Sequence, residues 1–524
     1  MGSLFIRNAR IWTGTGDVAD AALIIDGRVA FAGREGDASV PTSIDVIDGR
    51  GRLVVPGFTD GHAHLLGSGA AMRAVDLKGV PSVAEAARRV ADRLPATLAG
   101  AWLRGAGWDQ NNWPRAAFPT RRDLDAVAPD VPVVLNHTSG HCIWVNSAAL
   151  RAAGVTAATP VPVGGAVDIG DDGEPSGILR DTAARLVTDA APNPTQTERI
   201  AAMEDAIRHA HSLGVTGVHA MDVGRGELQA MYALHDAGRL RLRISAFLSA
   251  SRLDEWFERN IATGDGDALM RIGGVKFFAD GALGSLTAWM REPYDDTPGT
   301  GFPLQPIEQL ERDVRRCLAG GLATAVHAIG DRANSEVLGI YERAGDLAPH
   351  LPRRIEHAQL LAPEDVARFA ALGVTASVQP IHATQDRAKV DRSWGQRGRG
   401  AYAFASLLAS GATLAFGSDT PVETMDPIAG IHAAVTRRNA ASDPPAGWYP
   451  DERIAVEAAL RAYTEGCAAA VGATATSGRI AAGCDGDLVV LSSDILSTTD
   501  PMRILDARAD LTVVAGDVVY RRAA

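Results

Sequence analysis

Eight short apolar runs separated by helical patterns constrain this chain more than any other feature. They lie at 53–61, 214–221, 241–249, 272–279, 322–327, 353–357, 374–379 and 412–418. The runs are not polar on one face, as expected when helices cover both sides of a parallel sheet. "LGVTGVHAMD" (213–222), "LGVTASVQP" (372–380) and "SGATLAFGSD" (410–419) share a cadence in which glycine ends a helix and a β-branched run follows. Eight parallel strands with intervening helices close a (β/α)8 TIM barrel. The expected class is therefore α/β.

Both chain ends read differently. "SLFIRNARIW", "AALIIDGRVAFAG", "GDLVVLSS" and "ADLTVVAGDVVYRR" are short strands between glycine turns, too short to bury a sheet face alone. They are expected to meet in one small β-sandwich domain of residues 1–52 and 475–524, with the barrel spanning 53–474. Residues 66–195 form a long insertion after barrel strand 1, which also takes the strand-like "VPVVLNHTSGHCIWVN" (131–146). Its Trp102, Trp108, Trp113 and Trp144, with "NNWP", suit a subdomain covering a pocket.

The barrel strands finish in polar residues. The first ends in His62 and His64, the fourth contains Lys276 and ends in Asp280, and the fifth ends in His327. The sixth ends in His357 and the eighth in Asp419. Strand ends of this kind converge on one mouth, where catalytic groups sit. Side chains alternate with period two, so His62 and His64 project to the same side and offer two nitrogens to one ion. His327, His357 and Asp419 complete a donor set suited to Zn²⁺. An isolated H-x-H arises by chance; recurrence on independent strands is what points to a metal. His209, His211, His235 and His350 lie in helical or linker sequence and read as structural or solvated, and Asp60 and Asp222 as partners or caps.

Lys276 has two readings. A buried ammonium needs a partner, and Asp280 or a neighbouring carboxylate would supply one. Alternatively CO₂ carboxylates the amine, making an anionic bridge between two ions ~3.5–4 Å apart.

Other classes are disfavoured. The formal charge of −12 opposes binding to nucleic acid or an anionic membrane. The chain carries no Walker A loop, G-x-S-x-G elbow or Rossmann fingerprint. The four cysteines include no C-x-x-C, and no segment reads as a secretory signal or membrane span, so a cytoplasmic location is expected.

"PGFTDGHAH", "VKFFADGALGS", "AVHAIGDRA", "IEHAQL" and "AFGSDTPVE" together resemble the metal-dependent amidohydrolase superfamily. More narrowly, the chain resembles its amidohydrolase-3 branch, which includes N-substituted formamide deformylase and the YtcJ-like proteins. The resemblance implies one or two Zn²⁺ ions. His62 and His64 would hold the first with Asp419 close by, His327 and His357 a second, and Lys276 would bridge. Asp419 would be the general base, His141 and His382 would face substrate, and Trp108 would form an apolar wall. Asp280 is carried as a further substrate-binding position, and a homodimer is expected. Ala282 and Leu286 stand where the pattern has a hydroxyl and a guanidinium, and Ser139 where it has an aspartate. These departures suggest a less anionic, more apolar small-molecule substrate.

The expected activity is metal-dependent cleavage of a C–N bond in a small N-acyl or N-formyl compound. An esterase, lactonase or carbamate hydrolase would use the same site. A catalytically silent binding barrel is the remaining alternative.

Overall fold

The computed structural model describes residues 2–98, 100–138, 142–162 and 164–523. They divide into two compact units, Met1–Leu65 with Ala206–Ala524, and Leu66–Asp205.

In the first unit eight parallel strands form one sheet in chain order. They are β1 (Phe58–Ala63), β2 (Val215–Val223), β3 (Arg243–Ser249) and β4 (Met270–Phe278), followed by β5 (Thr324–Ala328), β6 (Arg353–His357), β7 (Val374–Val378) and β8 (Leu414–Phe416). A narrow seam between β8 and β1 brings the ring close to closure. Ala63 bridges to Thr420, the Asp419 N–H donates to the His62 carbonyl at 2.7 Å, and the His64 N–H donates to the Thr420 carbonyl at 2.9 Å. Gly417 permits this approach, because a Cβ there would stand 2.4 Å from the His62 nitrogen.

The run at 53–61 divides. Leu53–Pro56 pairs with Arg10–Trp12 and Leu488–Leu491, so it belongs to a sheet built from the two chain ends. That sheet has six strands, and a second of four strands is drawn from residues 4–48. The two share a core that includes Leu4, Ile24, Val54, Leu488 and Val513.

Layers of branched apolar side chains usually fill a TIM barrel. Here part of the interior is polar. Arg354 on β6 donates to the Gly61 carbonyl at 2.6 Å, Ser377 Oγ at 2.8 Å and His219 Nδ1 at 2.9 Å. It also grips both carboxylate oxygens of Glu356 and lies over the Phe247 ring at 4.8 Å. One guanidinium thus engages residues of five strands. Arg354 and Glu356 are both 0% exposed, and dense pairing is what makes burying them tolerable.

The second unit is built on a mixed six-stranded sheet, and its tryptophans have a structural place. Trp108, Trp113 and Trp144 pack together in that unit's own core. Trp108 is 0% exposed and donates Nε1–H to the Leu135 carbonyl at 2.9 Å. This corrects the expectation of a substrate-facing wall: ring-rich composition fits a core as well as a pocket, and here three rings stabilise one another.

Candidate metal centre

The carboxyl ends of β1, β6 and β8 bring one nitrogen each of His62 and His357 and one Asp419 oxygen within 4.8 Å of one another. Asp419 Oδ1 lies 3.4 Å from His62 Nε2 and 3.3 Å from His64 Nε2. Donors held at ~2.0–2.1 Å in a tetrahedron stand ~3.3 Å apart, and the His62–Asp419 separation matches that spacing, while His64 meets the same carboxylate as a hydrogen-bond donor.

The backbone aims these groups. Arg354 and Glu356 point into the barrel, so regular alternation would turn His357 outward. Its φ of +73° breaks the alternation and brings its ring to 4.7 Å from that of His62. Asp419 is likewise left-handed at φ +60°. Asp60 clasps the seam, accepting from the His62 and Ser418 N–H groups at 3.1 and 2.9 Å and from Ser418 Oγ at 2.5 Å.

Hydrogen bonds also set the imidazole tautomers. His62 Nδ1 lies 2.6 Å from Glu356 Oε2, and His357 Nδ1 lies 2.8 Å from Gln379 Oε1. Donating Nδ1–H to these oxygens leaves both Nε2 lone pairs for the site. His62 Nε2 is buried with no hydrogen-bond partner, an arrangement that costs free energy unless a cation takes the lone pair. The donor set and the orphaned nitrogen fit a metal ion.

Protonation states agree with this. Burial, reinforced by Lys276, lowers His62 to about 4. Burial also takes His327 to about 3 and His357 well below its ordinary value. Burial raises Asp419, but His62, His64 and His357 outweigh it and hold the carboxyl well below its usual range. The centre therefore offers neutral imidazoles and an ionised carboxylate. His64 moves upward, because its hydrogen bond to Asp419 overcomes burial.

His327 sits beside the cluster, its ring 4.6 Å from that of His357, with Nε2 2.9 Å from the Gly281 carbonyl. Lys276 is 1% exposed and makes no hydrogen bond or ion pair among the described residues; its Nζ lies 5.1 Å from the Phe278 ring centre. Burial lowers it to about 8.

Asp280 makes no ion pair with Lys276; it serves as a clamp on the backbone, with Oδ1 3.6 Å from His327 Nε2. It is 0% exposed and accepts from the N–H groups of Trp289, Ile329 and Gly330 at 2.8, 3.0 and 2.9 Å. Three backbone donors need an acceptor there, which gives this strand-end acid a structural place. His382 stacks on His357 at 6.4 Å and has a buried, unpartnered Nε2. His141 lies outside the described residues.

Glu356, Arg354 and Gln379 were missed by sequence reading. The signal was present in "RRIEH": an arginine and a glutamate at period two, so on one face of the strand, next to a histidine.

A nearly closed parallel barrel with a buried metal-ligating cluster at its carboxyl end fits a metal-dependent hydrolase of the amidohydrolase type. The profile of the amidohydrolase family Amidohydro_3 matches residues 45–520, and the chain belongs to that family. It is 33% identical to YtcJ of Bacillus subtilis (strain 168) over 527 residues, 97% of each chain. It is 30% identical over 553 residues to the N-substituted formamide deformylase of Arthrobacter pascens, covering 100% of this chain and 99% of that one. A crystal structure of an uncharacterized metal-dependent hydrolase from Pyrococcus furiosus superposes with TM-score 0.80 at 32% identity, over 94% of this chain and 100% of that one.

Proposed function

We propose that this protein hydrolyses the C–N bond of a small N-acyl or N-formyl amide, with Zn²⁺ as its metal. The observation that carries the reading is the convergence of His62, His357 and Asp419 on one point, with His62 Nε2 left without a partner. When bound there, the ion supplies Lewis acidity toward the scissile carbonyl and lowers the pKa of a water.

The chain's own residues do the rest. Asp419, ionised, takes the proton of the attacking water and returns it to the departing amine. Glu356 and Gln379 hold the His62 and His357 rings with Nε2 toward the centre. His382, with its free Nε2, donates to the developing oxyanion. The similarity to a formamide deformylase favours an amide over an ester, and Leu286 in place of a guanidinium favours an uncharged, apolar acyl or amine portion.

A two-ion form of the site is the second reading, and Lys276 favours it. A buried amine that makes no direct ion pair among the described residues, with the Glu356 and Asp419 carboxylates in its wider surroundings, is the state that CO₂ relieves: carbamate formation would turn the cation into an anion and release protons, and His64 and His327 would then serve as additional ligands. The family resemblance supports a homodimer, and four buried free cysteines fit a reducing, cytoplasmic setting. No helix of the described residues is long and apolar enough to cross a membrane.

The test is metal analysis of purified protein combined with a substrate panel of N-formyl amines, N-acyl amino acids, carbamates, lactones and aryl esters. Zinc-dependent turnover fastest on an amide is the expected result. Fastest turnover on a lactone or ester would reassign the reaction, and a metal-free protein with unchanged stability under chelator would leave a binding barrel.

A further inference from the structure

A cavity of about 290 Å³ lies at the opposite end of the barrel from the metal centre. Thr59, Gly217, Ser245 and Arg271, all near the amino-terminal starts of β1 to β4, form part of its lining.

Three guanidinium groups reach this cavity. Two are answered by carboxylates. Arg28 lies 2.9 Å from Asp485, and Arg243 holds Asp487 with bonds of 2.6 and 2.9 Å. The third, Arg271, donates Nε–H to Ser245 Oγ at 3.0 Å and makes no ion pair among the described residues. The remaining carboxylate in the lining, Asp267, is already engaged by His235 at 2.8 Å and by the N–H groups of Leu269 and Met270. Arg271 is half-buried; burial disfavours its cationic form, and the like charge of Arg243 adds to this against the opposing pull of the Asp485 carboxylate. A guanidinium that cannot deprotonate in water, set in a cleft beside another, is relieved by a bridging anion.

We infer that this cavity binds a small oxyanion, a carboxylate or a phosphoryl group, on the planar fork of Arg271. The fork presents parallel N–H donors with the spacing of two oxygens on one carbon or phosphorus. The inference is independent of the reaction at the metal centre. The cavity is nevertheless physically connected to it: His219 forms part of its lining and accepts the hydrogen bond from Arg354, which holds Glu356 and through it His62.

The experiment uses the full-length protein as purified. Inorganic phosphate and acetate are titrated separately at constant ionic strength, with calorimetry and thermal unfolding as readouts. One of them is expected to bind saturably and raise Tm as the logarithm of its concentration above Kd. Tighter binding of phosphate assigns a phosphoryl group, and tighter binding of acetate a carboxylate. Arg271→Gln is expected to weaken binding about 10-fold or more, the value of one charge-assisted contact. Arg271→Lys, which keeps the charge without the fork, is expected to fall between them and serves alone if the glutamine variant does not fold. Asp419→Asn is expected to bind as wild type does, separating this cavity from the metal centre. Equal binding by wild type and the Arg271 variants, loss of binding in Asp419→Asn alone, or no saturable binding of either anion would overturn the inference.

Discussion

Replacing Glu356 with glutamine separates what holds the barrel from what holds the metal. The carboxylate accepts the His62 Nδ1–H at 2.6 Å and is gripped by Arg354 through Nε and Nη2. Glutamine keeps the shape but loses the charge that strengthens both contacts. Removing the partner that orients a metal-bound histidine costs about 10–100-fold in metal affinity, or about 1.4–2.7 kcal/mol. Leaving a buried guanidinium unpaired costs about 3–5 kcal/mol of folding stability. Arg354 keeps Gly61, Ser377, His219 and the Phe247 face, so the lower end of that range is expected here. Competition for Zn²⁺ against a chelating indicator reads the first quantity, and urea unfolding of metal-free protein reads the second. The double variant Arg354→Met/Glu356→Gln removes the orphaned charge; it should recover most of the lost stability without recovering zinc affinity. A Glu356→Gln protein that binds zinc as wild type does would refute the orienting role.

Asp419→Asn should lower kcat by about 10²–10⁴-fold, the usual weight of a general base, while urea unfolding of the metal-free form changes little; a fully active variant would remove Asp419 from that role. If Lys276 is carboxylated, activity should fall when bicarbonate and CO₂ are stripped and return when they are restored, and native mass spectrometry of the intact protein should find the added CO₂ in wild type and not in Lys276→Ala. Acid should destabilise the fold through His211 and His432, two buried imidazoles that burial lowers to about 4. Their folded pKa lies below the free value of about 6.5, so the unfolded chain binds more protons in between. The contribution is fully present above pH about 6.5 and is lost as pH falls toward 4, by up to about 3 kcal/mol per group, and His211→Gln should flatten the stability profile measured between pH 7 and 4.5.

The barrel was legible because glycine-ended helices followed by β-branched runs leave few other folds, and His62 with His64 followed from period two alone. What stayed hidden has specific causes. The sequence of β6 does not announce that His357 adopts φ +73°, and without that turn the residue would face the helices. Asp280 has the composition and position of a site residue, yet three N–H groups from other segments claim it. The tryptophans of the second unit are equally suited to a core and a cleft, and only packing decides. Pro56 and Gly57 interrupt the run at 53–61, which is why its first half joins another sheet.

The joint between the last and first barrel strands is also where Asp419 meets His62. A cylinder assembled from one chain has a single place where its two ends must be fastened, and here the fastening and the chemistry share atoms. Any side chain at position 417 wedges that joint and moves Asp419 away from its imidazole partner, so damage there should silence the enzyme well before it melts.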